Sequence, residues 1–209
     1  WLKVYQIPEG SRTSKGKAIV NMLNLGKGEK ISAFVPVKEF EEGKFLVLAT
    51  ERGIIKKTSL THYSRPRKGG IKGITLTPND SLITARLTDG AKKLIIATKK
   101  GMAVKFNEGD VREIGRTGQG VRGIRLKKDD KVIGMVVADD LKTLLTITEN
   151  GYGKRTMISE YRLINRGGSG VINIQTSKRN GGVVSINCVA DTDEIMMISR
   201  KGIVIRTPI

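Results

Sequence analysis

The chain has 209 residues, of which 38 are Lys or Arg and 20 are Asp or Glu, so its formal net charge is +18. A hydrophobic content of 38% is enough for a folded core and excludes a disordered polybasic tail. The single Cys188 excludes an internal disulfide and a cysteine-rich zinc site, and it fits a reducing cytoplasm. No apolar run approaches the ~20 residues that cross a bilayer, and no stretch resembles a signal sequence. We therefore expect no membrane partner.

Four β-prone segments recur along the chain, and each ends in a glycine. They occupy residues 45–53, 94–101, 144–151 and 195–202, and their closing glycines are 48, 50 and 51 residues apart. After each glycine a short apolar run leads to a basic residue, as in Gly53-Ile-Ile-Lys-Lys-Thr58. Further β-branched runs bounded by Gly, Asn-Asp or Asp-Gly lie at residues 82–87, 132–137 and 186–190. Helical periodicity is nearly absent.

A period of about 50 residues with about four strands in each unit predicts an all-β, propeller-like array of blades. We treat residues 1–209 as a single domain with repeats at approximately 1–52, 53–100, 101–150 and 151–200, and residues 201–209 as the start of the next blade. A radial array hides its edge strands by closing into a ring. Because the chain also begins with Trp1 rather than Met, we expect it to be a fragment of a longer protein.

Basic, glycine-rich turns recur within these units. The strongest, Ser64-Arg-Pro-Arg-Lys-Gly-Gly-Ile-Lys-Gly-Ile74, places four cations on a turn of one Pro and three Gly before an apolar run. Glycine leaves backbone N–H groups open to approach, and long basic side chains on such a turn form an anion site. A polyanion is the natural partner of such turns when they recur. Similar turns lie at residues 12–19, 116–124 and 166–171.

Charge is distributed unevenly among the repeats. The net charges of residues 1–52, 53–100, 101–150, 151–200 and 201–209 are +3, +9, +1, +3 and +2, which sum to +18. Acidic residues such as Asp129 and Asp139 cluster in turns other than those that carry the bases, which favours one basic rim. Aromatic residues make up only 4% of the chain, too few for a stacking platform on single strands. Duplex DNA is therefore the expected polyanion.

Enzymatic motifs are weak. Residues 118–123 match the G-x-G-x-x-G pattern of dinucleotide sites, but residues 124–127 are expected to continue as a strand where that motif needs a helix. His62 is the only histidine, so a metal cluster built on histidines or a Ser-His dyad lacks a second member. The carboxylate pairs at 139–140 and 191–194 are interpreted as residues of hairpin turns. We expect no catalytic residue, metal site or cofactor in this segment.

Longer motifs carry a family resemblance. They are Leu2-Lys-Val-Tyr-Gln-Ile-Pro-Glu9 with Arg12-Thr-Ser-Lys-Gly-Lys-Ala-Ile-Val-Asn21, then Thr117-Gly-Gln-Gly-Val-Arg-Gly-Ile-Arg-Leu126, Asn150-Gly-Tyr-Gly-Lys-Arg-Thr156 and Ile195-Met-Met-Ile198. Together they resemble the C-terminal domain of the gyrase A protein, which belongs to the type IIA DNA topoisomerases. The resemblance covers essentially the whole chain. The family's Gln-Arg-Arg-Gly-Gly-Lys-Gly box is not intact here, and residues 67–73 are a degenerate form of it.

The resemblance implies a β-pinwheel, six-bladed when intact, whose basic outer rim bends and wraps duplex DNA without sequence preference. Wrapping would present a DNA segment to the cleavage core of DNA gyrase during ATP-dependent negative supercoiling, with ATP and Mg acting elsewhere in the holoenzyme. The implied partners are the rest of the gyrase A protein and the gyrase B protein, in an A2B2 heterotetramer at the cytoplasmic nucleoid. The candidate DNA-binding residues are Arg12, Lys15, Lys17, Arg65, Arg67, Lys68, Lys72, Arg116, Arg122, Arg125, Lys154, Arg155, Arg162 and Arg166.

Three alternatives remain open at this point. The first is the corresponding domain of topoisomerase IV. The second is a non-enzymatic chromatin-binding propeller of the chromosome-condensation-regulator type. The third is an interaction scaffold whose basic rim meets acidic proteins or lipid headgroups. A duplex-binding assay over a range of salt concentrations separates the DNA-wrapping hypothesis from the second and third alternatives.

Overall fold

The computed structural model describes residues 1–209 apart from Arg12, Asn24, Lys27, Pro66, Lys68 and Arg200. The described chain forms thirteen β-strands, five short 3-10 turns and no α-helix, and this confirms the predicted all-β fold. The strands are β1 (Phe45–Thr50), β2 (Ile54–Ser59), β3 (Leu82–Thr88), β4 (Lys93–Thr98), β5 (Met102–Asn107), β6 (Val121–Arg122), β7 (Val132–Ala138), β8 (Thr143–Thr148), β9 (Gly153–Met157), β10 (Val171–Ile172), β11 (Val183–Val189), β12 (Glu194–Ile198) and β13 (Val204–Pro208). The 3-10 turns are Val4–Gln6, Ile19–Asn21, Leu60–Tyr63, Glu108–Asp110 and Ile158–Glu160.

The strands build four antiparallel sheets, here called the first, second, third and fourth blades. The first blade has the order β3-β1-β2-β6, and the second has the equivalent order β7-β4-β5-β10. The third blade consists of β11-β8-β9, and the fourth is the β12-β13 hairpin. In the described residues the first strand begins at Phe45, so the segment before it contributes only 3-10 turns. None of these helical turns is long or apolar enough to cross a membrane.

The blades exchange strands. The short strand β6 lies between β5 and β7 in the chain, yet it pairs with β2 of the first blade, where Ile55 is opposite Val121. In the same way β10 pairs with β5 of the second blade, where Ala103 is opposite Val171. Each of these two blades therefore takes strands from three consecutive sequence repeats, so the blades are not the repeat units read from the sequence.

Glycines at the hairpin ends make this exchange possible. Gly101 closes the turn between β4 and β5 with φ +83°, a left-handed conformation that favours glycine. A Cβ atom on Gly101 would lie 2.0 Å from the carbonyl oxygen of Ile174, in the segment that follows β10. The Gly101 carbonyl accepts hydrogen bonds from the N–H groups of Asn173 and Ile174 at 2.8 and 3.2 Å. The recurring glycine is thus a point of backbone contact between repeats at Gly101 and likewise at Gly53, where a Cβ atom would lie 2.9 Å from the Ile124 carbonyl oxygen.

Strand β4 is buried on both faces. Leu94 and Ile96 pack in the cluster that joins the first and second blades, whereas Ile95 and Ala97 pack in the cluster that joins the second and third. This explains why the sequence of β4 is a continuous apolar run and does not alternate between apolar and polar residues. Blades packed face to face in this way form the core.

The two edge strands of a blade lie on opposite sides of the array, one on the inner side and one on the outer side. Strands β3, β7 and β11 contact one another in sequence, so they form the inner side of the array. Strands β6 and β10 lie at the opposite edges of the first and second blades. The basic turns at residues 116–124 and 166–171 contain or adjoin these outer strands, and the fold therefore places those two turns at the outer edges.

Candidate nucleic-acid interface

The outer rim of the molecule is formed by three loops. We call residues 64–75, 112–125 and 162–175 the first, second and third outer loops, and together the outer belt; the description covers all of them except Pro66 and Lys68. The second and third loops contain β6 and β10, which anchor them to the first and second blades. Of the four positively charged turns that the sequence placed on one rim, three lie here.

The first and second outer loops are joined by direct hydrogen bonds. The Nη1 atom of Arg116 donates to the carbonyl oxygen of Lys72 at 3.0 Å. The backbone N–H of Thr75 donates to the Gly118 carbonyl at 3.2 Å, and the Thr75 hydroxyl donates to the Thr117 carbonyl at 2.5 Å. The two loops are therefore held in register along the rim.

The second and third outer loops are joined in the same manner. The Nη1 atom of Arg166 donates to the carbonyl oxygen of Arg122 at 3.1 Å. The N–H of Gly167 donates to the Gly123 carbonyl at 2.7 Å, and the N–H of Arg125 donates to the Gly168 carbonyl at 2.8 Å. The repeated pattern makes the three loops one continuous belt.

A buried lysine beneath the belt binds both the first and the second outer loops. Lys56 on β2 is fully buried, and its Nζ donates to the carbonyl oxygens of Gly73 in the first loop, at 2.6 Å, and of Arg116 in the second. Burial, with a further contribution from the positive charge of Arg116, lowers the pKa of Lys56 to about 8. Lys56 was not among the predicted site residues. The equivalent position on β5 is the apolar Val104. This difference between the repeats is the sequence feature that could have identified Lys56.

Most of the predicted cations of the belt point to solvent. Six of them, and Lys154 on β9 outside the belt, are exposed and have no carboxylate partner among the described residues. These seven are Arg65, Arg67, Lys72, Arg122, Arg125, Lys154 and Arg162. Their side chains are available to phosphate groups, which is the arrangement that binding by counterion release requires.

Arg116, Arg166 and Arg155 are engaged within the protein. Arg116 and Arg166 are partly buried and bind the carbonyl oxygens described above. Arg155 on β9 forms an ion pair with Asp191, and its Nε donates to the Thr143 hydroxyl at 3.1 Å. These three predicted contacts therefore have partners within the protein that the seven exposed cations lack.

The position of Arg155 recurs in the other blades. It pairs across the hairpin as Lys105 does in the second blade and Lys57 in the first. Lys105 is buried and contacts the Asp140 carboxylate at 2.5 Å and the Ile158 carbonyl at 2.9 Å. The Lys57 ammonium donates to a carbonyl at 3.1 Å. This position holds a cation that supports the blade.

The remaining candidates lie elsewhere. Lys15 and Lys17 are exposed in the segment before β1, and no hydrogen bond of their side chains connects them to the belt among the described residues. Arg12 and Lys68 lie outside the described residues. One carboxylate, Glu113, lies in the second outer loop and accepts the N–H of Ser59 at 3.3 Å. Other acidic residues bind turns away from the belt: Asp80 accepts the N–H of Arg52, and Asp130 that of Lys100, each at 2.9 Å.

The structure also bears on the weak enzymatic motifs. The G-x-G-x-x-G run ends in β6 and not in a helix, so it lacks the local structure of a dinucleotide site. The predicted strand at residues 124–127 was wrong, because β6 ends at Arg122 and Ile124 turns to donate its N–H to Gly53. His62 is exposed in the Leu60–Tyr63 turn. In the part of the chain that the structure describes, no three His, Cys, Asp or Glu side chains are grouped to hold a metal ion.

Known proteins are similar to this chain in sequence and architecture. A family model described as the DNA gyrase C-terminal domain, beta-propeller, matches residues 1–38, 44–89, 92–139, 142–190 and 193–209. The gyrase A protein of Halalkalibacterium halodurans is 54% identical over 205 residues, which are 98% of this chain and 25% of that protein. The chain spans about a quarter of the length of the curated relatives it matches.

Two solved structures agree with this match. The structure of the DNA gyrase A C-terminal domain superposes with a TM-score of 0.87 at 31% identity, covering 99% of this chain and 67% of that one. The C-terminal domain of DNA topoisomerase IV superposes with a TM-score of 0.84 at 26% identity, covering 92% of this chain and 61% of that one. With a family model that matches nearly every residue, the chain belongs to the DNA gyrase C-terminal domain family.

Proposed function

We propose that this chain binds duplex DNA along the outer belt and bends it, as the DNA-wrapping part of DNA gyrase. The observation that carries the proposal is the continuity of the belt, in which each outer loop is hydrogen-bonded to the next. Family membership supports the same conclusion, because the matched relatives are gyrase A proteins.

Binding of this kind reads the DNA backbone and not the bases. Duplex DNA carries one negative charge per about 1.7 Å of its axis, and each phosphate neutralised by a cation releases counterions. The exposed cations of the belt are Lys and Arg on loops, with few aromatic side chains to stack on bases or enter a groove. Such contacts fix the position of the duplex but carry no sequence information.

Bending follows from the shape of the belt. The second and third loops carry the outer edge strands of successive blades, and we expect the belt to curve with the blades, so that a curved duplex would meet more of it than a straight one. Bending 20–30 base pairs by 40–90° costs on the order of 1–6 kcal/mol. Additional phosphate contacts along the curved path offset this cost.

The wider role depends on the rest of the enzyme. Wrapping would deliver a neighbouring DNA segment to the cleavage core of gyrase during ATP-dependent negative supercoiling. The partners would be the remainder of the gyrase A protein and the gyrase B protein in an A2B2 assembly, acting on chromosomal DNA in the cytoplasm. ATP and Mg would act in those other parts of the assembly, and this segment would supply the DNA path.

The test is a salt titration of duplex binding, followed by a bending measurement. With seven phosphate contacts, log K should fall with log salt with a slope of about −6. Two duplexes of unrelated sequence should bind equally. Energy transfer between dyes at the ends of a ~40-bp duplex should rise on binding, because bending brings the ends together. A slope near zero, a strong preference for one sequence, or a bound duplex that stays straight would contradict the proposal.

A further inference from the structure

Two arginines of the outer belt differ from their neighbours in what they bind. Arg116 and Arg166 lie 50 residues apart in the sequence, and both are partly buried. Each donates its Nη1 to a backbone carbonyl of the preceding outer loop, at 3.0 and 3.1 Å. Arg122 and Arg125 lie in the same belt, but their side chains are exposed. The same residue type therefore occupies two environments.

The carbonyl that each arginine binds belongs to another cation. Arg116 binds the carbonyl of Lys72, and Arg166 binds the carbonyl of Arg122. Lys72 and Arg122 are themselves 50 residues apart, so the two pairs are equivalent in successive repeats. In both pairs the held residue projects its own side chain to solvent. A bond to its carbonyl fixes the peptide plane from which that side chain leaves.

Arg166 is bound at two points. Its Nε donates to the Asp110 carbonyl at 2.7 Å while its Nη1 donates to Arg122. A guanidinium is a rigid planar group of five donors, so two bonds in fixed directions define its orientation. Around it, the N–H groups of Gly167 and Arg125 donate to the carbonyls of Gly123 and Gly168. The arginine thus lies within a bonded junction between two loops.

We propose that Arg116 and Arg166 are positioning residues, which hold the backbone of Lys72 and Arg122 so that those two side chains meet DNA phosphates. This inference rests on the proposed function and assigns distinct roles within its binding surface. The proposal divides the cations of the belt into two kinds, those that contact phosphate groups and those that position the contacting residues.

A double-mutant cycle tests the proposal. Arg122→Gln removes one phosphate contact, so binding should weaken about eightfold at about 0.1 M salt and the salt slope should shrink by about 0.9. Arg166→Gln removes the same charge and should weaken binding by a similar or smaller factor. If Arg166 acts through Arg122, the double variant should match Arg122→Gln in both affinity and slope. Arg116→Gln with Lys72→Gln provides a second, equivalent cycle.

A pair of contacts that act separately serves as the control. Arg162 is exposed on the third outer loop, so Arg162→Gln and Arg122→Gln should combine additively, with the slope smaller by about 1.8. Additive losses for Arg166→Gln and Arg122→Gln would show that Arg166 binds its own phosphate, and would overturn the proposal.

Amide hydrogen exchange on the free protein provides a readout that does not involve DNA. Arg166→Gln should speed exchange at the N–H groups of Arg125 and Gly167, which bridge the second and third loops, whereas Arg122→Gln should leave them unchanged. Unchanged exchange in Arg166→Gln would also overturn the positioning role. If the wild-type protein bound duplex with no salt dependence, the proposed function would fail, and the exchange result would still show whether Arg166 holds the loops.

Discussion

The lysines and arginines of this molecule fall into two groups that formal charge does not distinguish. The exposed cations of the outer belt, such as Arg65 and Arg122, have no carboxylate partner among the described residues. The interior cations, Lys56, Lys57 and Lys105, are buried and bonded to carbonyl or carboxylate oxygens. The difference teaches that a strongly basic sequence describes both a binding surface and part of the scaffold that carries it.

This distinction changes how the charge of the repeats is understood. Residues 53–100 carry a net charge of +9, which marked them as the strongest electrostatic unit. Yet Lys56 and Lys57 of this repeat are buried, and three further lysines are in salt bridges. Those three are Lys92, Lys93 and Lys99. Only part of the formal charge is therefore presented to a partner.

The largest expected effect comes from the exposed group. Replacing Arg65, Arg67 and Lys72 together by Ala should weaken duplex binding about 500-fold at about 0.1 M salt, because each lost phosphate contact contributes about eightfold. The slope of log K against log salt should shrink by about 2.7. The free energy of unfolding should change by less than about 0.5 kcal/mol, because the side chains are exposed. Fluorescence anisotropy and urea unfolding measure the two quantities.

A triple variant of equal formal charge is the control. Replacing Lys92, Lys93 and Lys99 by Ala removes the same charge from the same repeat, but from residues paired with Asp89, Asp140 and Glu149. It should cost far less binding. Equal losses from the two triple variants would mean that net charge, and not exposure, determines affinity.

The second largest effect is a loss of stability when an interior cation is removed. Lys105→Ala should lower the free energy of unfolding by about 2–3 kcal/mol, because it removes one of the two donors to the Ile158 carbonyl, the other being the Tyr161 N–H, and it removes a partner of Asp140. Duplex binding by the folded protein should be unchanged. Urea unfolding with constant m-values provides the measurement. Lys154→Ala, which removes an exposed lysine, should lose binding and keep stability, the reverse pattern.

The pH dependence of stability tests whether Lys56 belongs to the buried, interior group of cations. Its pKa in the folded protein, about 8, lies below the ordinary lysine value of 10.5. Between these two values the unfolded chain binds more protons than the folded one, so the contribution of Lys56 to stability rises with pH across this window. The melting temperature of the wild type should therefore increase relative to Lys56→Met from pH 8 to pH 10. Parallel pH profiles for the two proteins would contradict the assignment.

The smallest effect is expected at an exposed pair between blades. Lys99 and Glu149 approach to 2.7 Å, and both side chains remain about two-fifths exposed. Hydrogen bonding to Lys99 lowers the pKa of Glu149, but solvent screens such pairs. Lys99→Ala should therefore change the free energy of unfolding only slightly. A larger change in thermal unfolding would mean that this pair stabilises the fold as the interior cations do.

Much of the fold could be predicted from the sequence. The closing glycines and β-branched runs predicted the hairpins, and strands β3 (Leu82–Thr88) and β7 (Val132–Ala138) lie at the expected positions. The exchange of outer strands was not predicted. Strands β6 and β10 have only two residues each, too few to show a periodic pattern, and their partners lie far away in the sequence.

The sequence indicated the basic turns but not the different environments of their arginines. Recurring Gly and Arg marked four such turns, and three of them lie in the outer belt. The sequence alone did not show that Arg116 and Arg166 bind carbonyls, because an arginine facing solvent and one facing a neighbouring loop have the same local pattern. Nor did it show Lys56 as buried, since a lysine after Ile54-Ile55 fits an edge strand as well as an interior one.

The strand exchange between blades also has a consequence for protein synthesis. The first blade needs β6, which ends at Arg122, although its central hairpin is complete at Ser59. Those 63 intervening residues (122 − 59) take about 3–13 s to emerge at ribosomal rates of about 5–20 residues per second. Throughout that interval β2 exposes an unpaired edge on the nascent chain, open to other strands. Slower translation of residues 60–122 should therefore increase aggregation of the newly made protein.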